Sequence, residues 1–307
     1  MSASHTNQPS AAQPAPAILS IQSHVAYGYA GNRAAVFPLQ RMGYDVTAVH
    51  TVQFSNHTGY GAWEGDVFDP DHLRRVLKGI ADRGFFENCA GLLTGYLGSP
   101  AIGEIILDTL EKLPPHCPWI CDPVMGDVGR GFYVREQIPE FFKSEALSRA
   151  HLITPNLFEL EYLSGATIRT IADARAACRE IHNGPASASK EQQGPELILV
   201  TSLITEDTPA HSISMLLSCR NGECYMVTTP RLEMEFPSYA GSGDMTSAIF
   251  TGCLLRGQDY GSALSHTAAS LFGIFKTSFD IGGREIALIP AQDHITTPQQ
   301  FFPVVKL

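Results

Sequence analysis

Long apolar runs, paired cysteines and excess basic charge are what this chain lacks. No stretch of 18 or more apolar residues occurs, so no membrane-spanning helix is expected. The seven cysteines (89, 117, 121, 178, 219, 224 and 253) include no C-x-x-C pair, which argues against a zinc knuckle or disulfide framework and for reduced, buried thiols in a cytoplasmic protein. Only 21 Lys and Arg stand against 31 Asp and Glu, a net charge of −10, which argues against nucleic acid or an anionic membrane as partner. Two nucleotide signatures are missing as well. No G-x-x-x-x-G-K-[ST] is present, and Gly241-x-Gly243 lacks the third glycine of a dinucleotide fingerprint, with Thr at position 246. An anionic nucleotide would therefore need a local device, such as a metal or an anion hole.

The chain supplies one in Pro237-Ser238-Tyr239-Ala240-Gly241-Ser242-Gly243-Asp244. Two glycines around a serine let backbone N–H groups converge, and the apolar run from Met245 to Leu255 reads as a helix starting at that point. Its free N–H groups and dipole favour an anion, usually phosphate. Asp244 in the first turn is out of place beside an anion unless it has a task. One reading is helix capping. The other is a base that takes a proton from a substrate hydroxyl while Gly241, Ser242 and Gly243 steady the phosphoryl group under attack.

The rest of the chain alternates strands with helices, the pattern of an open, mainly parallel α/β sheet with helices on both faces. Hydrophobic content of 44% is ample for such a core. Residues 1–16 read as a disordered tail without the features of a signal peptide, residues 17–307 as one domain, and 184–194 as a flexible polar insert. Strands are expected from Ala17, over 46–52, 91–94, 118–121, near 152 and over 196–200, with a hairpin of 213–218 and 223–229. Helices are expected after Gly31, with a kink or restart at Pro38, and over 71–83, 102–113, 171–181, 245–255 and 259–279. Polar clusters follow the strands, so Ser23, Thr58, Tyr96, Asp122, Thr154 and Thr201 should share one sheet edge facing Asp244. Gln53 to Gly61 is dense in donors and aromatics, as a pocket for a flat polar ring would be, although an Ω-loop packed on itself is the structural alternative. Asp122 and Asp127, just past a strand, suit a Mg²⁺ that bridges phosphates, or simply a turn. Val128-Gly129-Arg130-Gly131 reads as a flap or a loose hairpin. Asn156 and Glu159 stand at the spacing of a capping box, and Asn156 could also reach the metal or phosphates.

Gln22-Ser23-His24-Val25, Thr51 to Thr58 (TVQFSNHT), Gly95-Tyr96, Cys121 to Gly126 (CDPVMG), Thr154-Pro155-Asn156 and Gly241-Ser242-Gly243-Asp244 resemble the pyridoxal kinases of the ribokinase-like superfamily, a likeness that extends over residues 17–307. The resemblance implies a three-layer sandwich and ATP-dependent phosphorylation of the 5′-hydroxymethyl of pyridoxal. Asp244 would be the base and Gly241 to Gly243 the cradle of the transferring group. Ser23 and Thr58 would touch the ring and Tyr96 would flank it. Asp127 would serve Mg²⁺, with Asp122, Thr154, Glu159 and Thr201 lining the phosphate and monovalent-cation (K⁺ or Na⁺) region. Asp122, Asn156, Thr201, Ser202 and Ser242 would contact ATP, with Glu235, Phe236 and Pro237 passing the nucleotide. A homodimer is the implied assembly. Bacterial members often carry Lys where this chain has Thr201, and G-T-G-D where it has G-S-G-D. Two rivals are a hydroxymethylpyrimidine kinase, which QFSNHT argues against, and a non-catalytic vitamin B6 binding protein, which has no use for Asp244.

Overall fold

Hydrophobic alternation along the central strands builds two cores back to back. In the computed structural model, Leu19, Leu92, Trp119, Ile153 and Ile198 face one core, while Ile18, Leu93, Ile120, Leu152 and Leu197 face the other. A two-residue period buried on both faces is the signature of a sheet covered by helices on each side. The structure describes residues 15–184, 193–233 and 239–307. Among the sequence-based expectations, Glu235, Phe236 and Pro237, most of the 184–194 insert and residues 1–14 of the tail lie outside the described residues.

The strands are β1 (Ala17–Val25), β2 (Asp45–Phe54), β3 (Gly65–Val67), β4 (Cys89–Thr94), β5 (Trp119–Cys121), β6 (Gly126–Asp127), β7 (Gly131–Phe132), β8 (Leu152–Ile153), β9 (Leu197–Leu203), β10 (Ser212–Cys219), β11 (Cys224–Pro230) and β12 (Val304–Lys306). Ten of them form one sheet in the order β12-β11-β10-β9-β8-β5-β4-β1-β2-β3, and β6 pairs separately with β7. The central run from β9 to β2 is parallel, and the flanking strands are antiparallel. Chain order reverses direction across the sheet between β1 and β4, which opens a crevice at their carboxyl ends.

Helices α1 (Asn32–Arg41), α7 (Ser242–Leu255), α8 (Tyr260–Ile281) and α9 (Asp293–Thr296) cover one face. The other face carries α2 (Pro70–Ala81), α3 (Pro100–Leu110), α4 (Gln137–Phe141, continued by a π-helical turn at Phe142–Ala146), α5 (Leu157–Ser164) and α6 (Ile171–Asn183). All seven cysteines are free and buried. No helix among the described residues is long and apolar enough to cross a membrane.

The structure corrects or refines the sequence-based expectations at several points. Helix α1 runs through Pro38 without restarting, because the helix loses only one N–H there and Pro38 is buried in the core. The C-terminal residues, for which the sequence pattern predicts no element, contribute β12, whose three residues are too few for a periodic signal. Of the two alternatives for Val128 to Gly131, the structure takes the hairpin: Gly126 to Phe132 is paired, with Val128, Gly129 and Arg130 at its tip. Ser23 and Thr201 lie within strands, since β1 and β9 outrun their apolar runs. At Thr201-Ser202 two residues of β9 oppose one of β10, between the pairs Val200–Leu216 and Leu203–Ser214. A comparable irregularity sets Thr51-Val52 of β2 against Ser23. Such bulges re-aim side chains where a ladder would otherwise bury them.

Candidate active site

Helix α7 begins at Ser242, and Gly241 before it adopts φ 82°. That left-handed conformation favours glycine, and an added Cβ would lie 2.5 Å from the Tyr29 carbonyl oxygen. The glycine loop therefore packs on the turn of residues 28–31. Among the described residues no side chain caps α7. Ser242 N–H donates to Tyr239 O at 3.3 Å, and Met245 N–H to Gly241 O at 3.0 Å, while the Gly243 N–H finds no backbone acceptor among the described residues. An uncapped helix start with a spare N–H is a ready acceptor site for anionic oxygen.

Asp244 occupies the third position of that helix, and its Oδ2 accepts from Gly31 N at 2.8 Å. It keeps some solvent contact, yet burial of its carboxyl raises the pKa, against the pull of the Gly31 N–H. Gly31 in turn leans on Ser23: an added Cβ would fall 2.1 Å from the Ser23 carbonyl oxygen and 2.4 Å from its hydroxyl. The base candidate and the first ring-pocket candidate are thus joined through one glycine. In the sequence Gly31 only precedes a predicted helix; its tie to Asp244 spans 213 positions and leaves no local signal.

Asp122 flanks the same loop from β5, its Oδ2 being 3.6 Å from where a Gly243 Cβ would stand. Burial, then the charges of Glu159 and Asp244, drive its pKa well above the ordinary range. Glu159 is also buried, which pushes its carboxyl up to about 8, opposed by backbone N–H groups. Its Oε1 accepts from Met125 N and its Oε2 from Asn156 N, both at 2.9 Å. Asn156 Oδ1 accepts from Glu159 N at 3.0 Å, and its Nδ2 donates to Gly126 O at 2.8 Å. The capping box therefore forms, and it occupies both side chains in pinning α5 to the hairpin.

No ion pair among the described residues involves Asp122, Glu159 or Asp244. Thr154, 2% exposed beside Asp122, leaves its hydroxyl oxygen without a bond of ordinary geometry. Buried carboxylates without a cationic partner among the described residues, with the Thr154 hydroxyl beside them, form a donor set suited to a hard cation. Among the described residues no cluster of three or more His, Cys, Asp or Glu is arranged as a complete metal cage. A cation here would complete its shell with water and phosphate oxygens, the habit of Mg²⁺. Asp127 is half-buried in β6, with Oδ1 accepting from Val128 N at 2.8 Å. Its pKa is raised by burial, against that bond and the Arg130 charge.

The remaining candidates surround this centre without direct contact with Asp244. Thr58 opens a 3₁₀ turn capped by His57 Nδ1, which accepts from Gly59 N at 3.2 Å. Asn56 bonds the carbonyls of His57 and Ala62, so the loop is knit internally as well as facing the crevice. Neither the Ser23 nor the Thr58 hydroxyl has a protein hydrogen bond among the described residues. Tyr96 follows β4, its carbonyl accepting from the Thr51 hydroxyl at 2.7 Å. Thr201 N donates to Pro155 O at 3.0 Å, which sets the β9 bulge beside Thr154 and Asn156. Tyr133 adds to this set without any signal in the sequence: the residue is 40% exposed, yet desolvation at its phenol, then the charges of Glu159, Asp127, Asp122 and Asp244, raise its pKa.

Residues 30–288 match the family model described as phosphomethylpyrimidine kinase. The pyridoxal kinase PdxY of Granulibacter bethesdensis is 46% identical over 288 residues, 93% of this chain and 98% of that protein. That of Rubrobacter xylanophilus is 45% identical over 294 residues, 94% and 97% of the two chains. The solved pyridoxal kinase of Leishmania donovani in complex with ADP and pyridoxamine superposes with a TM-score of 0.85 at 30% identity, covering 95% of this chain and 99% of that one. With that coverage, and with an uncapped glycine loop beside a buried aspartate, the chain belongs to the pyridoxal kinases of the ribokinase-like family.

Proposed function

We propose that this protein is an ATP-dependent pyridoxal kinase that transfers the γ-phosphoryl group to the 5′-hydroxymethyl of pyridoxal, and of pyridoxine and pyridoxamine, in vitamin B6 salvage. The relatives support the reading: the Leishmania donovani enzyme is solved with ADP and pyridoxamine and with ADP and pyridoxine. The observation that carries it is Asp244, a carboxylate set by Gly31 N–H at the start of an uncapped helix.

Asp244 takes the hydroxyl proton as the substrate oxygen bonds to the γ-phosphorus. The bond from that phosphorus to the β–γ bridging oxygen breaks, and ADP leaves with the electron pair. A raised pKa makes Asp244 a stronger proton acceptor than an exposed aspartate, provided the pH keeps it ionised. Gly241, Ser242 and Gly243 receive the transferring group, with the Gly243 N–H directed to its equatorial oxygens. Ser23 and Thr58 orient the ring through hydroxyls that the fold leaves unbonded, and Tyr96 flanks it. Asp122, Asn156, Thr201, Ser202 and Ser242 line the ATP side in this reading, with Glu235, Phe236 and Pro237 beside the nucleotide.

Asp127 and Asp122 would hold Mg²⁺, and Thr154 with Glu159 would border a K⁺ or Na⁺ site. Bound there, the ions neutralise phosphate charge and orient the γ-phosphoryl group. Glu159 would act through its charge, since both oxygens already accept N–H groups. The proposal further includes a kinase domain over residues 17–307, a homodimer, a cytoplasmic location consistent with seven free cysteines, and no nucleic-acid or membrane partner, consistent with the net charge of −10.

The test is formation of pyridoxal 5′-phosphate from ATP and pyridoxal by the purified protein, repeated with a chelator and with Mg²⁺ restored. Absence of product with Mg²⁺ present would sink the assignment. Asp127→Ala should raise the Mg²⁺ requirement more than the pyridoxal KM.

A further inference from the structure

The two walls of the candidate pyridoxal pocket are the turn of residues 26–31 and the loop of residues 55–61. Backbone bonds join them at their bases, from Ala26 N to Phe54 O and from Tyr27 N to Ser55 O, both at 2.8 Å. Their tips lie beyond that ladder. The turn carries Gly31, which orients Asp244, and the loop carries Thr58.

Both tips converge on a segment far away in sequence, just after α8. Glu285 Oε2 accepts from Tyr29 N at 3.1 Å, and its Oε1 accepts from the Tyr60 hydroxyl. The carboxyl rests directly on Gly28, where an added Cβ would fall 2.3 Å from Oε2. The neighbouring Arg284 sets its guanidinium 4.1 Å from the Tyr60 ring centroid and donates to Gly59 O at 2.9 Å. One carboxylate thus bridges the two walls, while the adjacent guanidinium grips one of them by ring face and backbone. Burial, followed by the Glu285 bond, pushes the Tyr60 phenol up to about 12, which keeps it a donor.

We propose that Glu285 is a positioning residue that clamps the tips of the two pocket walls together and thereby fixes the spacing between Thr58 on one wall and Ser23, Gly31 and Asp244 on the other. Its functional consequence rests on the pyridoxal kinase reading, whereas the clamp itself does not. Bonds to an ionised carboxylate are among the stronger hydrogen bonds, and two of them here tie one tip to the other. Small displacements of a substrate-positioning group cost rate steeply.

Glu285→Ala should raise the pyridoxal KM about tenfold and leave the ATP KM within about twofold. Glu285→Gln should restore most of the loss, because its amide oxygen can accept from Tyr29 N–H while its NH₂ donates to the Tyr60 oxygen. Tyr60→Phe should raise the pyridoxal KM too, and combined with Glu285→Ala should add little, as expected for partners in one contact. Hydrogen exchange on the ligand-free protein supplies a readout independent of the reaction: Glu285→Ala should accelerate exchange in both 26–31 and 55–61. Should that variant not fold, Glu285→Gln and Tyr60→Phe carry the comparison. Equal rises in both KM values, full additivity, or unchanged exchange in either segment would overturn the clamp. A wild-type protein that makes no pyridoxal 5′-phosphate would overturn the functional reading instead, with exchange still deciding the clamp.

Discussion

Two helices, α5 and α7, start at the same edge of the sheet, and their first turns differ in kind. The start of α5 is closed: Asn156 and Glu159 satisfy each other's backbone and reach back to Met125 and Gly126. The start of α7 is open: Gly241 offers no side chain, Gly243 N–H has no backbone acceptor among the described residues, and Asp244 Oδ2 accepts from Gly31 N–H in a distant turn. Both sequences place an acidic residue in the first turn. A helix start with a spare N–H suits a phosphoryl group, so in the proposed function the α7 carboxylate does the proton transfer, while the α5 carboxylate pins the fold and contributes only its charge.

The sharpest break in that comparison is Asp244→Asn. It preserves size and the bond from Gly31 but removes proton acceptance, so kcat should fall roughly 10²–10⁴-fold. Nucleotide affinity should be unchanged or tighter, since a charge beside the phosphates is gone. Retention of most of the turnover in steady-state assays would reduce Asp244 to a structural residue.

Next in size is the acid limb of the rate profile. The raised folded pKa means that Asp244 loses its charge as pH falls through a value above the ordinary 3.8, so kcat should decline on acidification earlier than for an exposed aspartate. A plateau maintained down to the ordinary aspartate range would contradict the burial argument.

At α5 the expected loss is in stability. Asn156→Ala should cost roughly 0.5–2 kcal/mol, the range for an N-cap, in denaturant unfolding. Its effect on kcat should be far below that of Asp244→Asn. A loss of turnover as large as at Asp244, without a loss of stability, would reverse the roles of the two helix starts.

The smallest effects belong to the ring pocket. Ser23→Ala and Thr58→Ala each remove one oriented bond, on the order of 0.5–1.5 kcal/mol. Each should raise the pyridoxal KM and spare that of ATP. A larger effect on ATP would show the two halves of the crevice to be exchanged.

Where apolar period and breaker agree, the elements were legible: the strands at β1, β2, β4 and β9, the hairpin of β10 and β11, and the helices α7 and α8 all follow from the chain. So did the capping box, since its signal is a spacing of three residues. The short β12 and the bulges at Thr51-Val52 and Thr201-Ser202 did not, because a bulge depends on the register of a partner strand.

By itself, the sequence determined that a glycine-led helix start with an acidic residue follows an alternating α/β array, because those features are local and repeat at fixed periods. Tertiary structure alone decided which distant groups each acidic residue meets. Asp244 meets Gly31 across 213 positions, and Glu285 meets Tyr29 across 256 and Tyr60 across 225. Contacts of that range exist only once the sheet has brought its strand ends together, and burial, which sets the pKa of each carboxylate, exists only then as well.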